Sequence, residues 1–195
     1  PDGITIANER IYTADTDGMN WPSQSTRVSV VDINSFEFEK TITVSLNPNY
    51  IYSDSDGDVY VICMSGYSDD KSYIVQRIDA KTDEVKTVEG IKAYKMTVAD
   101  DIAYIMFNDY YANEVKYYKY DLKNEKLLSD NFITDGTVVS SPNGIGVDPV
   151  TGDIYVGKSN KKNNGDVYVF SSEGKLKSQF ETLPYPADFV FMTNK

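Results

Sequence analysis

Hydrophobic and polar residues alternate with a period near two over many short stretches of this chain. The same arrangement of stretches occurs four times. Aligned on a tyrosine in the second stretch, the copies place Tyr12, Tyr60, Tyr104 and Tyr155 at equivalent positions, 48, 44 and 51 residues apart. Segments with this alternation that are rich in Val, Ile, Tyr and Thr are typical of β-strands. The pattern therefore predicts a repeated β-structure and argues against helical repeats.

Each copy divides into four predicted strands, a to d, separated by turns rich in Asn, Asp and Gly. Strand b carries the shared tyrosine. Strand a is predicted at 3–7, 50–53, 95–99 and 144–148. Strand c is predicted at 28–33, 73–78, 115–120 and 166–170. Strand d is predicted at 38–44, 85–88, 126–132 and 176–180. Repeats of four short strands with this period predict an all-β fold, a β-propeller with one four-stranded blade per copy. We place the blades at about 1–46, 47–91, 92–141 and 142–182 of a single propeller domain.

The count of strands is uneven, because residues 183–195 begin with another segment that reads as strand a and has no blade behind it. Four blades and one extra strand do not close a ring. We expect the chain to be the C-terminal portion of a seven- or eight-bladed propeller. A homodimer of two such fragments, each lending 188–192 to its partner, is an alternative way to hide the exposed sheet edges and faces.

The segment 142–156, with the sequence PNGIGVDPVTGDIYV, resembles the opening of the repeat in NHL-repeat and YncE-like propellers, and 1–7 and 48–51 echo it. The third copy lacks the Pro and the Asp-Pro turn. The tyrosine-rich, histidine-free composition is most similar to the secreted or lipoprotein YncE-like propellers of Bacteroidetes, many of which have no assigned function. The resemblance implies an extracytoplasmic location, at the cell surface or in the periplasm.

Charge and composition exclude several kinds of partner. The chain has 30 acidic and 19 basic residues, a formal net charge of −11, so its mean field repels a phosphate backbone and nucleic-acid binding is not expected. The sequence has no apolar run long enough to predict a membrane span. The single cysteine, Cys63, lies in an apolar run and is predicted to be a buried core thiol.

Aromatic residues of the longer connections are the candidate ligand-binding residues. The b-to-c and d-to-a connections are expected on the same side of the blades, and long loops carry function more often than tight turns. We assign ligand binding to Trp21, Tyr50, Tyr67, Tyr94, Tyr110, Tyr111 and Tyr185. They are predicted to stack on sugar rings or to contact an extended peptide; the alternative is that most of them pack between blades.

Catalytic, metal and cofactor sites have little support. The chain has no histidine, which excludes Ser-His-Asp, Cys-His and His-ligated zinc sites. The acidic turn 54–58 does not follow the EF-hand pattern and is interpreted as a hairpin turn that does not bind Ca²⁺ tightly. Asp32, Asp79 and Asp121 recur at the ends of predicted strands c, and we interpret them as turn formers that bind backbone amides. We predict no catalytic residue, no metal and no cofactor.

The sequence therefore favours a non-enzymatic binding or interaction module whose ligand is a carbohydrate or a protein. One alternative is a carboxylate-based glycosidase or lyase, which needs only two suitably spaced carboxyl groups. The other is a structural scaffold without a small-molecule site.

Overall fold

The computed structural model describes residues 1–20, 24–64, 73–109, 114–160 and 162–192. These residues form antiparallel sheets of four strands, in which spatial order follows chain order. The strands are β1 (Gly3–Ala7), β2 (Arg10–Asp15), β3 (Arg27–Asp32) and β4 (Phe38–Thr43) in sheet 1; β5 (Pro48–Ser53), β6 (Val59–Cys63), β7 (Ile74–Ile78) and β8 (Val85–Lys92) in sheet 2; β9 (Lys95–Ala99), β10 (Ile102–Asp109), β11 (Glu114–Asp121) and β12 (Lys126–Ser129) in sheet 3; and β13 (Pro142–Val147), β14 (Ile154–Asn160), β15 (Asn163–Phe170) and β16 (Leu176–Thr182) in sheet 4.

The prediction of an all-β fold with four four-stranded repeats is confirmed. A 3₁₀ turn, Gly18–Asn20, follows β2. Within the described residues, no helix has the length and apolar character needed to span a membrane. The chain divides into two compact units, Pro1–Tyr94 with sheets 1 and 2 and Lys95–Lys195 with sheets 3 and 4.

Two predicted a-to-b turns adopt the positive φ angles that their Asn and Asp residues tolerate. Asn8 and Glu9 have φ values of 48° and 59°, and Asp100 and Asp101 have φ values of 50° and 60°. Two consecutive residues with positive φ are characteristic of the type I′ turn, whose twist matches that of the flanking strands. Asn and Asp enter this region at lower cost than most residues, so the local sequence fixes the hairpin.

The predicted role of the repeated aspartates is also confirmed. Oδ1 of Asp32 accepts hydrogen bonds from the amides of Asn34 and Ser35, at 2.9 and 2.7 Å. Oδ1 of Asp79 accepts from Lys81 and Thr82, and Oδ1 of Asp121 from Asn124. These bonds hold the c-to-d turns. Hydrogen bonds stabilise the ionised form and lower the pKa of all three carboxyl groups, chiefly from the amide of Ser35 for Asp32, the amide of Thr82 for Asp79 and the side-chain amide of Asn124 for Asp121.

The shared tyrosine belongs to the core. Tyr12, Tyr60 and Tyr104 are buried, and Tyr155 is half-buried. In the first unit, side chains from one face of sheet 1 and one face of sheet 2 form a common apolar cluster. Cys63 is fully buried within that cluster, as predicted, and it is a free thiol. Its burial raises its pKa to about 12.

The predicted fifth strand a differs from the expectation. Residues 183–192 belong to no sheet in the described structure. The segment nevertheless lies against sheet 4: a Cβ placed on Gly144 or Gly146 would meet Ala187 or Phe189 within 2.6 Å. The rings of Phe189 and Phe191 lie 5.8 and 5.1 Å from that of Tyr155.

This position matches one seen in the first unit. A Cβ on Gly3 of β1 would lie 2.7 Å from the carbonyl oxygen of Asn49 in β5, and the hydroxyls of Thr5 and Ser53 are 3.0 Å apart. In both places, small residues of one innermost strand allow the next segment to approach closely. Residues 183–192 therefore lie on sheet 4 as the innermost strand of sheet 2 lies on sheet 1.

Candidate binding site

The predicted aromatic residues do not form one described surface. Trp21, Tyr67, Tyr110 and Tyr111 lie outside the described residues. Tyr50 is half-buried inside β5, paired with Ile62, rather than in a connection. Tyr94 is half-buried with its ring 6.5 Å from that of Tyr73. Tyr185 is 55% exposed in the segment after β16. Their assignment as ligand-binding residues stays a prediction.

The predicted hairpin turn at 54–58 uses its carboxylates within the protein. The amide of Asp58 donates to Oδ1 of Asp54 at 2.9 Å. The carboxylate of Asp58 accepts from Nε of Arg77 at 2.9 Å and from the amide of Ala80 at 2.8 Å. The described residues contain no group of three or more acidic or thiol ligands placed to hold a metal ion. The absence of tight Ca²⁺ binding stays a prediction.

A cavity in the second unit is built by the long connection between β12 and β13. Strand d of the third copy was predicted at 126–132, but β12 ends at Ser129, whose hydroxyl donates to the carbonyl oxygen of Asn131 at 2.8 Å. This local bond turns the chain out of the ladder. The amide of Phe132 then donates to the carbonyl oxygen of Tyr117, and the ring of Phe132 packs edge-to-face on those of Tyr104 and Tyr117.

The connection is also fastened to sheet 4. The amide of Thr134 donates to the carbonyl oxygen of Gly174, and its hydroxyl donates to that of Glu173 at 2.8 Å. The carboxylate of Asp135 accepts from the amides of Leu176 and Thr137 at 2.7 and 3.0 Å, and these bonds lower its pKa. The loop is therefore held at several points, which favours a preformed site over one that orders on binding.

The cavity has a volume of about 370 Å³. It lies between the third strand of sheet 3 and the connection, and its lining comprises Val115, Tyr117, Asn131, Ile133, Thr137, Val138, Val139 and Ser140. Tyr117 and Val139 are buried, whereas Val138 is 82% exposed at the rim. None of these described lining residues carries a charge.

The chemistry of the cavity suits binding. The hydroxyl of Tyr117 donates to the carbonyl oxygen of Val139 at 2.7 Å, and burial raises the pKa of the phenol. The phenol is therefore neutral, and its proton is already engaged by the loop. Four apolar side chains supply contact area, while an amide and two hydroxyls supply hydrogen bonds, which is the usual composition of a small ligand pocket.

Sequence reasoning did not find this cavity. The sequence does contain one signal for it, the length of the connection at 130–141. This connection is longer than the other predicted d-to-a connections. Long connections in compact domains are disproportionately functional. The shape of the cavity depends on contacts of Phe132 with strands distant in sequence, and no local pattern announces those contacts.

No protein-family profile and no curated protein sequence matches this chain. Solved structures do resemble it. A structure titled as the Dos1 propeller aligns with a TM-score of 0.65 and 13% identity, over 96% of this chain and 48% of that one. The fold is a β-propeller. The four sheets are its blades.

Two further solved structures show the same fold, with similar TM-scores and similarly low sequence identities. Hydrazine synthase from Kuenenia stuttgartiensis aligns with a TM-score of 0.65 and 14% identity, over 88% of this chain and 51% of that one. A chain of a mitotic checkpoint complex aligns with a TM-score of 0.63 and 10% identity, over 92% of this chain and 49% of that one. This chain thus spans about half the length of the propellers that it resembles. At such identities the likeness establishes the fold alone.

Proposed function

We propose that this propeller is a non-enzymatic interaction module that binds an uncharged, partly apolar segment of a partner protein. The observation that carries the proposal is the uncharged cavity of about 370 Å³ beside β11. Its volume lies at the small end of the range of ligand pockets, roughly 300 to 1,000 Å³. It suits one or two apolar side chains of a peptide better than a large ligand.

The lining favours a peptide over a sugar. Val115, Ile133, Val138 and Val139 offer aliphatic contact, whereas sugars need many hydrogen-bonding groups and an aromatic face on which to stack. The single ring of the lining, Tyr117, is 7% exposed and packs on Phe132. A role in protein interaction would also accord with one similar fold, which belongs to a multiprotein complex by its title.

The peptide hypothesis is tested with an array of short peptides that carry one or two aliphatic residues in an uncharged context. Peptides selected on the wild-type protein are titrated against Val138→Lys, which places a charge at the rim of the cavity. The control is Val150→Lys, since Val150 is similarly exposed, at 73%, but lies in a turn of the fourth blade away from the lining. We expect affinity to fall at least about tenfold in Val138→Lys and to be unchanged in the control. Peptide binding that is indifferent to Val138→Lys would contradict the proposal.

The rival functions have separate readouts. Carbohydrate recognition through the loop aromatics predicts binding on a glycan array that is lost in Trp21→Ala and retained in Val138→Lys. A carboxylate-based glycosidase or lyase predicts turnover of chromogenic glycosides. A scaffold without a small-ligand site predicts binding of neither peptide nor glycan.

We extend the proposal to an extracytoplasmic location, which rests on the resemblance of 142–156 to YncE-like repeats, and fractionation of the parent cells tests it.

A further inference from the structure

One backbone position of the third blade lacks the partner that it has in the other blades. Ladder pairing places one residue of each third strand opposite the shared tyrosine, and these residues are Val30, Arg77, Lys119 and Val169. The position four residues earlier, which we call the edge position, is occupied by Thr26, Tyr73, Val115 and Gly165.

In three blades the fourth strand, or the chain that continues it, forms a backbone hydrogen bond with the edge position. The bonded pairs are Val44 with Thr26 at 2.8 Å, Ala93 with Tyr73 at 2.6 Å and Gly165 with Leu183 at 3.4 Å. The edge position accepts in the first two pairs and donates in the third. The outer backbone edge of the sheet is therefore closed at this position in the first, second and fourth blades.

In the third blade the chain turns away before it reaches Val115. The amide of Phe132 donates to the carbonyl oxygen of Tyr117 at 2.8 Å, and two residues later Thr134 is already bonded to sheet 4. Within the part of the chain that the structure describes, no backbone group pairs with Val115 on this outer side. Unpaired groups at a sheet edge are a template for the addition of another strand.

Strand geometry gives the direction of the two backbone groups of Val115. Backbone groups of successive residues in an antiparallel strand point to alternate sides. Because the carbonyl of Tyr117 faces the outer side, the N–H and C=O of Val115, two residues earlier, face it as well. Those of Lys116 face β10, where Lys116 pairs with Phe107. Val115 and Tyr117 also line the cavity, so the open edge and the cavity adjoin.

We propose that the partner segment binds as an extended strand added antiparallel to β11, in the place that strand d takes in the other blades. One residue of the segment, the anchor residue, exchanges both backbone hydrogen bonds with Val115. Side chains of directly opposite residues lie on the same face of a sheet, so the side chain of the anchor residue enters the cavity beside Val115 and Tyr117. The uncharged lining makes an aliphatic anchor residue the best fit.

The inference rests on the proposed function and specifies how the peptide is held. In strand addition the main chain supplies affinity and the pockets for side chains supply specificity. An extended peptide carries an N–H and a C=O at the spacing that Val115 requires, which a sugar does not.

An N-methyl scan of a peptide selected on the array tests the proposal without changing the protein. The anchor residue is first identified as the aliphatic residue whose replacement by Ala weakens binding most. N-methylation of this residue removes the donor to the carbonyl of Val115, and should weaken binding at least about tenfold. N-methylation of either neighbouring residue is the control and should change affinity little, because those N–H groups point away from β11.

A substitution on the protein side tests the other bond of the pair. Val115→Pro removes the outward N–H but no bond to β10, and proline is tolerated at a strand edge of this kind. Val115→Ala is the matched control, since it shortens the side chain and keeps the N–H. We expect the peptide to bind Val115→Pro at least about tenfold more weakly than Val115→Ala. Thermal unfolding of both variants checks that the fold is retained.

Amide hydrogen exchange in the wild-type protein gives a third readout. The peptide should slow exchange of the Val115 amide, whereas the amide of Lys116, already paired within the sheet, should exchange slowly with or without the peptide.

Failure of this inference and failure of the proposed function give different results. Binding that is lost in Val138→Lys, but is indifferent to N-methylation of the anchor residue and leaves the Val115 amide unprotected, would overturn strand addition and keep the cavity as the binding site. A protein that binds no peptide would overturn both.

Discussion

Nζ of Lys95, on β9, lies 2.7 Å from Oδ1 of Asp188 in the segment that covers the fourth blade. The two partners differ in environment, because the side chain of Lys95 is 6% exposed and that of Asp188 is 75% exposed. Nζ also donates to the carbonyl oxygen of Ala187 at 2.7 Å. The lysine, whose own side chain is buried, therefore holds the segment largely through a part-buried hydrogen bond to its backbone, and the exposed carboxylate adds to it.

This asymmetry predicts unequal mutational effects. Asp188→Asn should lower the free energy of unfolding by no more than about 1 kcal/mol, since a solvent-exposed ion pair contributes little. Lys95→Ala removes the buried aliphatic stem and the donor to Ala187, and should cost about 2 kcal/mol or more. Urea unfolding of both variants measures the difference. Equal losses would show that the ion pair, rather than the hydrogen bond to Ala187 and the packing of the lysine stem, holds the segment.

Two glycines in the same conformation offer a matched test of how the cavity loop is held. Gly174 and Gly136 both have φ of +81°. A Cβ on Gly174 would lie 1.7 Å from the carbonyl oxygen of Phe132, whereas a Cβ on Gly136 would meet nothing within 4 Å. Gly136→Ala should cost only the left-handed strain of roughly 1 to 2 kcal/mol. Gly174→Ala should cost at least about 2 kcal/mol more, because it also forces Phe132 away from Tyr104 and Tyr117.

Peptide binding provides a second readout for the same pair. A loop displaced by Gly174→Ala should also lose the cavity, whereas Gly136→Ala should keep it. Similar unfolding free energies for the two variants would contradict the structure of this loop.

The blades were predictable from the sequence because their determinants are local and repeated. The alternation around Tyr12, Tyr60, Tyr104 and Tyr155 marks the second strands, and each copy supports the reading of the others. The turns were equally predictable from the sequence. Asn8 and Asp100 tolerate positive φ, and Asp32 accepts hydrogen bonds from the amides two and three residues ahead. Such features need no knowledge of distant contacts.

The candidate site was not predictable for the opposite reason. Residues 126–132 continue a strand pattern, and only the side-chain bonds of Ser129 and the packing of Phe132 against Tyr104 and Tyr117 divert the chain to form a cavity. Residues 183–192 likewise have the pattern of a strand. A strand needs a partner to form a ladder, and local sequence does not reveal whether one is present.

The thiol of Cys63 should be inert in the folded protein. It is fully buried, and its pKa is raised to about 12, so the reactive thiolate is scarce near neutral pH. We expect no labelling by iodoacetamide at pH 8 under native conditions and complete labelling in urea. Val150→Cys, which adds a thiol at an exposed turn, is the control and should be labelled at once. Native labelling of the wild type at a similar rate would mean that this core opens readily.

The carboxyl group of Asp79 should make stability depend on pH in a defined window. Hydrogen bonds to its carboxylate, first from the amide of Thr82 and then from that of Lys81, lower its pKa to about 2. The unfolded chain has an ordinary aspartate pKa of about 3.9. A group whose pKa is depressed by folding stabilises the native state above its unfolded pKa and loses that contribution as pH falls through the folded value. The contribution of Asp79 is therefore present above about pH 4 and lost by about pH 2.

Asp79→Asn isolates this contribution, because the amide oxygen of asparagine still accepts from the turn amides but does not titrate in this range. The urea midpoint of the variant should fall less steeply than that of the wild type between about pH 4 and pH 2. It should not become flat, since the pKa values of Asp32 and Asp121 are lowered by the same kind of turn. Above about pH 5 the two proteins should respond to pH in parallel, because Asp79 is ionised there in both the folded and unfolded states. Midpoints that fall with the same slope through the acid range would show that the turn amides do not depress the pKa of Asp79.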